Sequence, residues 1–593
     1  MLPLITVILL ATVAAALSAI YLWSCDRGLD LTDDAATYMC MEHPKEVACL
    51  PFTDFAWTWP LYRVLGGSIQ LLRMCTLACT AISAVAFCWG FIAFLETYYP
   101  NILELKYSSA ILYLFLYIGG LLSFGFSFGT LQYNHLSSYV ILTAGGLLLY
   151  SMHSSELSQA QQFWLFAAMG FIVGTQPFFK ASSFFLFTPL ILIVCTLHDL
   201  HNLTLLATKM GGFILGGLAA SALAFSLLIS PKQFRSIVKH QLYTARLFKW
   251  DGSVFGRHYK EMRDFLQNSI LDFAPVHALL VVAPLLTLTG IAQAEQTRTL
   301  FLIIYLLAWA AFLYIIFKKK YHISGDAYNL HTMKMYFGLI AWTAAFIIYT
   351  WTAQNATPSL VFPDSTSFYT SILVMIAIPV VGAFGTGNYI YLNFIYQGPA
   401  WFALIAIQSF LVSTLWNVSW VFECSILLLT CIATAQVFTG NIIFPYRNPS
   451  LHKQNTKVRI NNCTLKLDQE TATFIEESRE IYKRADRPWG SDIIALFDLP
   501  GMVYALGGVS PGHEWYFRKG FETKAMLDAN YYHLSNVPKE RRQSACILQH
   551  GDVSFFESYM DKLGINLSRY ESIGETTNPA TGFPVIFWIP KER

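Results

Sequence analysis

Apolar runs of the length needed to cross a bilayer, about 20 residues each, recur along the first three quarters of the chain. The first, Pro3 to Trp23, starts almost at the initiator methionine, with no basic segment before it and no A-x-A cleavage pattern after it, so it is expected to stay as an anchor. Further runs lie near 71–95, 107–125, 137–151, 163–175, 184–198, 209–230, 274–291, 299–317, 335–352, 369–384, 400–415 and 420–440, thirteen in all. A chain with so many such runs is expected to fold as a polytopic helical membrane protein. The charge distribution agrees. Residues 447–593 carry 19 Lys and Arg and 18 Asp and Glu, roughly the quarter typical of soluble domains, whereas residues 1–446 are only about 9% charged. The expected organisation is therefore a membrane domain over 1–446 and a soluble domain over 447–593.

An odd number of spans puts the termini on opposite sides, so a cytoplasmic N-terminus places the first loop (24–70) and the tail outside. The positive-inside bias gives this weak support only, because Lys318, Lys319 and Lys320, and Lys232, Arg235, Lys239 and Arg246, would then face outward. The alternative is that the outward basic residues have work to do, such as holding phosphate. A net charge of +2 excludes a polycationic nucleic-acid surface.

The eleven cysteines contain no CxxC pair, and Cys75 and Cys79 lie inside an apolar run. Cys25, Cys40 and Cys49 fall in the first loop and Cys463 and Cys546 in the tail; a Cys463–Cys546 bridge is one option if the tail faces an oxidising compartment. The tail reads as a small α/β domain. Phe474, Ile475, Ser478, Ile481, Tyr482 and Ala485 recur at helical spacing, Asp492 to Phe497 is a short apolar strand run, and Ala545–Leu548 and Phe583–Ile589 are strand runs flanking a helical stretch from Phe555 to Leu563. It contains no GxGxxG, Walker, HExxH or GxSxG signature.

The most informative segment follows the first span: Asp26-Arg-Gly-Leu-Asp30-Leu-Thr-Asp33-Asp34-Ala-Ala-Thr-Tyr38. If Thr32 caps a helix running toward Tyr38, then Asp30, Asp33 and Asp34 share one face. Paired carboxylates at the mouth of a bundle raise one another's pKa and supply a general base; the competing reading is a set of solvated interfacial acids. Leu31-Thr-Asp33-Asp34-Ala-Ala-Thr-Tyr38 resembles the acidic motif of the GT-C superfamily of polyprenyl-phosphate-sugar glycosyltransferases, which includes protein O-mannosyltransferases and lipid A aminoarabinose transferases. Many members have Asp-Glu where this chain has Asp-Asp. The resemblance extends to the layout, and in the tail to Asp498–Pro511, which is similar to a segment of outer-face domains in some bacterial members. It implies an inverting transfer at the outer face, with Asp33 or Asp34 deprotonating the acceptor and Asp30 and Tyr38 lining the substrate site. It also implies a bacterial inner membrane, with a eukaryotic lumenal membrane left open.

Other candidates for substrate contacts are Gln132, Tyr133, Asn134 and His135, read as a polar loop between spans whose side chains hydrogen-bond sugar hydroxyls or merely form an interfacial turn. Lys180, between two apolar runs, either snorkels or pairs with the donor phosphate. The loop from Ser230 to Asp272 interleaves basic residues, Arg235 and Arg246 among them, with aromatics, as expected of a segment docking anionic lipid headgroups and polyprenyl phosphate. Asn388, in Gly385-Thr-Gly387-Asn388, either lines an acceptor entrance or closes a helix. A divalent ion held by the carboxylates with His135 or His43 is an open option that no spacing demands, so the cofactor is unassigned. The expected partners are a polyprenyl-phosphate sugar, a lipid, glycan or protein acceptor, and membrane lipid. A transporter or channel would need midplane polar residues and internal repeats, which are not evident; a non-catalytic scaffold would leave Asp33 and Asp34 dispensable.

Overall fold

A computed structural model describes residues 2–46, 55–104, 106–125, 129–154, 156–247, 366–384, 393–416, 420–516 and 524–591, with isolated positions between 299 and 310. Among these residues, seven helices are long and apolar enough to cross a membrane. They begin with α1 (Leu2–Ser24), α4 (Ile69–Tyr98), α6 (Ser108–Leu121, continued as a 3-10 turn to Gly125) and α7 (Tyr133–His153). They continue with α9 (Gln176–Asp199), α10 (Leu203–Leu223, extended to Leu228) and the helix that starts at Trp420 (α14, Trp420–Phe438, extended to Ile443). Further helices join them: α2 (Asp33–Glu42), α3 (Phe55–Val64), α5 (Pro100–Glu104), α8 (Gln159–Gly174), α11 (Pro231–Leu247), α12 (Thr366–Ala383) and α13 (Gly398–Trp416). The expected spans 274–291 and 335–352, and nearly all of 299–317, lie outside the described residues, so the count of thirteen stands untested.

Helices in lipid gain little from hydrophobic contrast and associate through close backbone packing. Here α4 crosses α7 at Gly90 and Gly146, where a Cβ on Gly90 would come 1.9 Å from the Gly146 carbonyl oxygen. At the end of the bundle opposite the acidic loop, Lys209 on α10 pairs with Asp199 at 2.7 Å, both buried, and His198 adds a 2.8 Å contact to the same carboxylate. A buried cation and anion there satisfy each other across the short α9–α10 turn.

The tail carries a hairpin of β1 (Thr456–Ile460) and β2 (Cys463–Leu467) and a four-stranded sheet in the order β3-β4-β6-β5. In the sheet, β3 (Ile493–Leu496) runs parallel to β4 (Cys546–His550), while β6 (Pro584–Pro590) is antiparallel to both β4 and β5 (Tyr570–Thr577). All four residues of β3 are buried, so the strand is uniformly apolar rather than alternating. Helices α15 (Gln469–Lys483), α16 (Pro500–Ala505), α17 (Lys524–Ser535), α18 (Lys539–Ser544) and α19 (Glu557–Leu563) complete this part. Asp468 caps α15 by accepting from Thr471 N.

Cys463 and Cys546 are both buried free thiols, which overturns the bridge proposed between them. Each sits in a different sheet of the tail, one in the hairpin and one in β4. Cys40 on α2 is disulfide-bonded.

Candidate functional site

The acidic loop between α1 and α2 is gripped from two sides. From the bundle, Arg73 near the start of α4 is fully buried and donates to the carbonyls of Arg27 (2.9 Å), Cys25 (3.2 Å) and Gly28 (3.1 and 3.2 Å). From the tail, Lys466 N donates to Asp26 O, Gly28 N to Lys466 O, and Gly501 N, at the start of α16, to Leu31 O, all within 2.7 to 2.9 Å. Lys466 also pairs with Asp26 at 2.5 Å. Behind them, the Tyr62 and Tyr504 hydroxyls meet at 2.8 Å, tying α3 to α16.

The three acids of the loop do three different things. Asp30 initiates α2: its carboxylate accepts from Thr32 N (3.0 Å), the Thr32 hydroxyl (2.6 Å) and Asp33 N (2.9 Å). Thr32, expected to cap the helix, makes no side-chain cap and gives its hydroxyl to Asp30 instead. An ionised carboxylate is the stronger acceptor for the orphan amides of a first turn, and it also favours the positive end of the helix dipole. Asp33 faces the tail, 39% exposed, 3.0 Å from the donating Tyr446 hydroxyl and 3.3 Å from Arg447. Arg447 in turn bonds the Thr32 hydroxyl.

Asp34 faces the bundle. It is buried, with Oδ2 3.8 Å from Arg73 Nη2 and no hydrogen bond to that oxygen. Burial, and then the neighbouring charge of Asp30, raise its carboxyl to about 7 against the opposing pull of Arg73 and of a hydrogen bond from Thr130. The Thr130 hydroxyl lies 2.6 Å from Tyr38 Oη, so Tyr38, Thr130 and Asp34 form a short hydroxyl-to-carboxylate chain. Gly129 sets Thr130 in place. Its φ of 72° suits glycine, and a Cβ there would sit 1.9 Å from the Tyr21 hydroxyl, which donates to the Arg73 and Gly129 carbonyls.

Gln132, Tyr133, Asn134 and His135 are not a loop. Gln132 is the N-cap residue of α7 and the other three occupy its first turn. Gln132 and Tyr133 are half-buried, and Gln132 Nε2 reaches Tyr396 Oη at 3.5 Å. Asn134 and His135 are buried: the His135 ring stands edge-on to Tyr396 at 4.9 Å, against the Thr130 backbone, and Asn134 Oδ1 has no hydrogen-bond partner. Each buried polar group left without a partner costs about 1–3 kcal/mol.

Lys180 neither snorkels nor stands between helices. It lies within α9 at a break in the helical backbone (φ −152°, ψ 86°), is fully buried, and donates to the Gly382 carbonyl at 2.7 Å. Ser183 and Ser182 donate to Val381 O (2.9 Å) and Phe384 O (3.1 Å), so α9 caps the C-terminal carbonyls of α12 with three side chains. A cation belongs at a helix C-terminus, and here the lysine meets a carbonyl of the chain itself.

Arg235 is exposed on α11, which forms the start of the 230–272 segment read as an amphipathic, interface-seeking loop, with Lys232 and Lys239 also exposed and Phe234 turned onto Phe178 and Phe225. Tyr243 stacks on Tyr532 of α17 at 3.8 Å, so α11 spans from bundle to tail. Arg246 is on the same helix, but its side chain, the rest of the 230–272 segment beyond Leu247, and Asn388 lie outside the described residues. Among the described residues no three His, Cys, Asp or Glu side chains converge as metal ligands, so neither His135 nor His43 joins the acids in such a group.

The residue that sequence reasoning passed over is Arg73. Its signal was available: a lone arginine near the start of an otherwise apolar span, where an unpaired charge is costly.

No protein-family model matches the sequence, and no curated protein matches it. Among solved structures the chain is similar to the Archaeoglobus fulgidus oligosaccharyltransferase in its complex with Zn and sulfate, with a TM-score of 0.39 and 10% identity over 98% of this chain and 72% of that chain. A likeness of that size carries no argument about the site, and the functional reading rests on the residues themselves.

Proposed function

We propose that the protein is an integral-membrane glycosyltransferase of the GT-C kind, moving a sugar from a polyprenyl-phosphate carrier to a hydroxyl of a lipid, glycan or protein acceptor at the outer face. The observation that carries this reading is Asp34: a buried carboxyl raised to about 7, held beside Arg73, with one oxygen open for a proton. That is the ionisation a general base needs near neutrality.

In the proposed reaction, Asp34 Oδ2 takes the proton of the acceptor hydroxyl as its oxygen attacks the anomeric carbon. The bond from that carbon to the phosphate oxygen breaks, and the polyprenyl phosphate leaves with the electron pair, inverting the centre. Asp33 is assigned to the tail contact, because Arg447 and Tyr446 already engage it on the side away from Arg73. Lys232, Arg235 and Lys239, exposed on α11, are assigned to docking the lipid phosphate. The Cys40 disulfide supports an outward first loop, since such bonds persist in oxidising compartments.

The test is release of polyprenyl phosphate from a labelled polyprenyl-phosphate sugar by purified protein in proteoliposomes. Asp34→Asn is expected to lower turnover by about 10²–10⁴-fold and Asp33→Asn by less than about tenfold. Equal activity of wild type and Asp34→Asn, at matched folding, removes the transferase reading in favour of a scaffold or transporter.

A further inference from the structure

Asp30 is 2% exposed, and its backbone and side chain together serve the first turn of α2. The first amides of a helix have no partner within it. Here Asp30 Oδ2 accepts from Asp33 N at 2.9 Å and from Asp34 N at 3.4 Å, and the Asp30 carbonyl accepts from Ala35 N at 3.2 Å. Oδ1 is taken by Thr32 N at 3.0 Å and by the Thr32 hydroxyl at 2.6 Å. Both carboxylate oxygens are thus turned into the loop's own backbone. The amide of Asp34 itself donates to Oδ2, so Asp30 holds the backbone from which the proposed base projects, while Arg73 and Thr130 meet the far end of that side chain.

The same geometry sets one acid beside another. Among the described residues, the charged and titratable groups facing Asp34 are Asp30 before α2, Asp33 and Tyr38 on α2, and Arg73 from α4. Arg73 favours the carboxylate form of Asp34, whereas the two aspartates favour the protonated form. Asp33 is the smaller influence of the two, and Arg447 and Tyr446 engage it on the tail side. Asp30 is therefore the neighbour that most strengthens the hold of Asp34 on a proton, and a base must hold a proton well enough to draw it from a hydroxyl.

Resting on the transferase reading, we propose that Asp30 is a positioning residue of the reaction, making no contact with substrate and acting through Asp34, whose backbone it holds at the start of α2 and beside which it places a fixed negative charge. This differs from the substrate-lining role that the GT-C resemblance implies for Asp30.

The experiment follows two readouts against pH with the full chain in proteoliposomes: polyprenyl phosphate release, and the infrared carbonyl band of protonated Asp34, taken as the difference from Asp34→Asn protein. Asp30→Asn keeps the shape of the side chain and removes its charge. It is expected to move both the rise of kcat/KM and the loss of the band to lower pH by about one unit. At about pH 6 this variant then keeps a larger share of its own plateau activity than wild type does, a gain that misfolding cannot mimic. Asp30→Glu keeps the charge and displaces the oxygens. It is expected to leave both midpoints within about half a unit of wild type and to lower the plateau by about tenfold or more. Unmoved midpoints in Asp30→Asn, or a full plateau in Asp30→Glu, overturn the proposal. Where a variant has lost turnover, the band decides alone, because it needs no catalysis: displaced in Asp30→Asn it supports the proposal, and unmoved it overturns it. Failure of the transferase reading shows separately, as undiminished turnover in Asp34→Asn.

Discussion

If Asp34 is the base, turnover carries its ionisation as a pH limb that Arg73 controls. The carboxyl is raised from 3.8 to about 7 by burial and then by Asp30, with Arg73 and Thr130 opposing. A base acts as the carboxylate, so kcat/KM rises with pH up to about 7 and levels off above it. Arg73 Nη2 lies 3.8 Å from Oδ2, and a unit charge pair at that separation is worth about 4 kcal/mol at an effective dielectric of about 20. At 1.36 kcal/mol per pH unit, that bounds the effect of removing the cation at about 3 pH units. Arg73→Gln should therefore displace the limb upward by about one to three units, and Arg73→Lys should restore most of the displacement. The measurement is polyprenyl phosphate release between about pH 5 and 10, with thermal unfolding followed in parallel for each variant. A wild-type limb below pH 5, or an Arg73→Gln limb within about half a unit of wild type in folded protein, refutes the reasoning. Folding carries the opposite sign. The unfolded chain releases this proton near 3.8 and the folded one near 7, so Asp34 lowers stability as pH rises through that window, by up to about 4 kcal/mol, and no further above it.

Lys180→Met keeps the length of the side chain but leaves the Gly382 carbonyl unpaired; it should lower stability by about 1–3 kcal/mol without changing affinity for bare prenyl phosphate, as read by unfolding and titration. Gly129→Ala, which meets both positive φ and the Tyr21 hydroxyl, should destabilise by about 1–3 kcal/mol and lower turnover, because Thr130 and Asp34 move with it. Arg447→Ala removes a contact that is one-third exposed and should change stability by no more than about 1 kcal/mol. Alkylation of denatured, unreduced protein should label Cys463 and Cys546 and leave Cys40 unlabelled, read by peptide mass spectrometry.

The acidic loop stood out in the sequence because it gathers four aspartates in a chain poor in charge. What separates Asp33 from Asp34 was not legible. Adjacent helical residues point about 100° apart, and only the partners at Arg73 and Arg447, 39 and 414 positions away from Asp34 and Asp33, decide which faces the bundle. Strands β3, β4 and β6 fall on the apolar runs read from sequence, whereas β5 and the β1–β2 hairpin were missed. The Tyr570-Glu-Ser-Ile-Gly-Glu-Thr-Thr run is mostly polar and half-exposed, with a bulge at Ser572/Gly574 that breaks its alternation. For Lys180, sequence gives the depth of the charge but not the nearest carbonyl, which is that of Gly382. The 132–135 segment was misread because four polar residues look like a loop, although each is compatible with a first helical turn facing protein.

The backbone bonds from Lys466 and Gly501 to Asp26, Gly28 and Leu31 impose an order on biosynthesis. The loop after α1 leaves the ribosome well before the residues that hold its tail-facing side, which are made more than 400 positions later. Until the tail has been made and has folded, Asp34 sits on a loop held from one side only. A nascent or prematurely terminated chain would thus insert its helices in lipid with the acidic loop incompletely set, and the competence of that loop would report that the tail has folded.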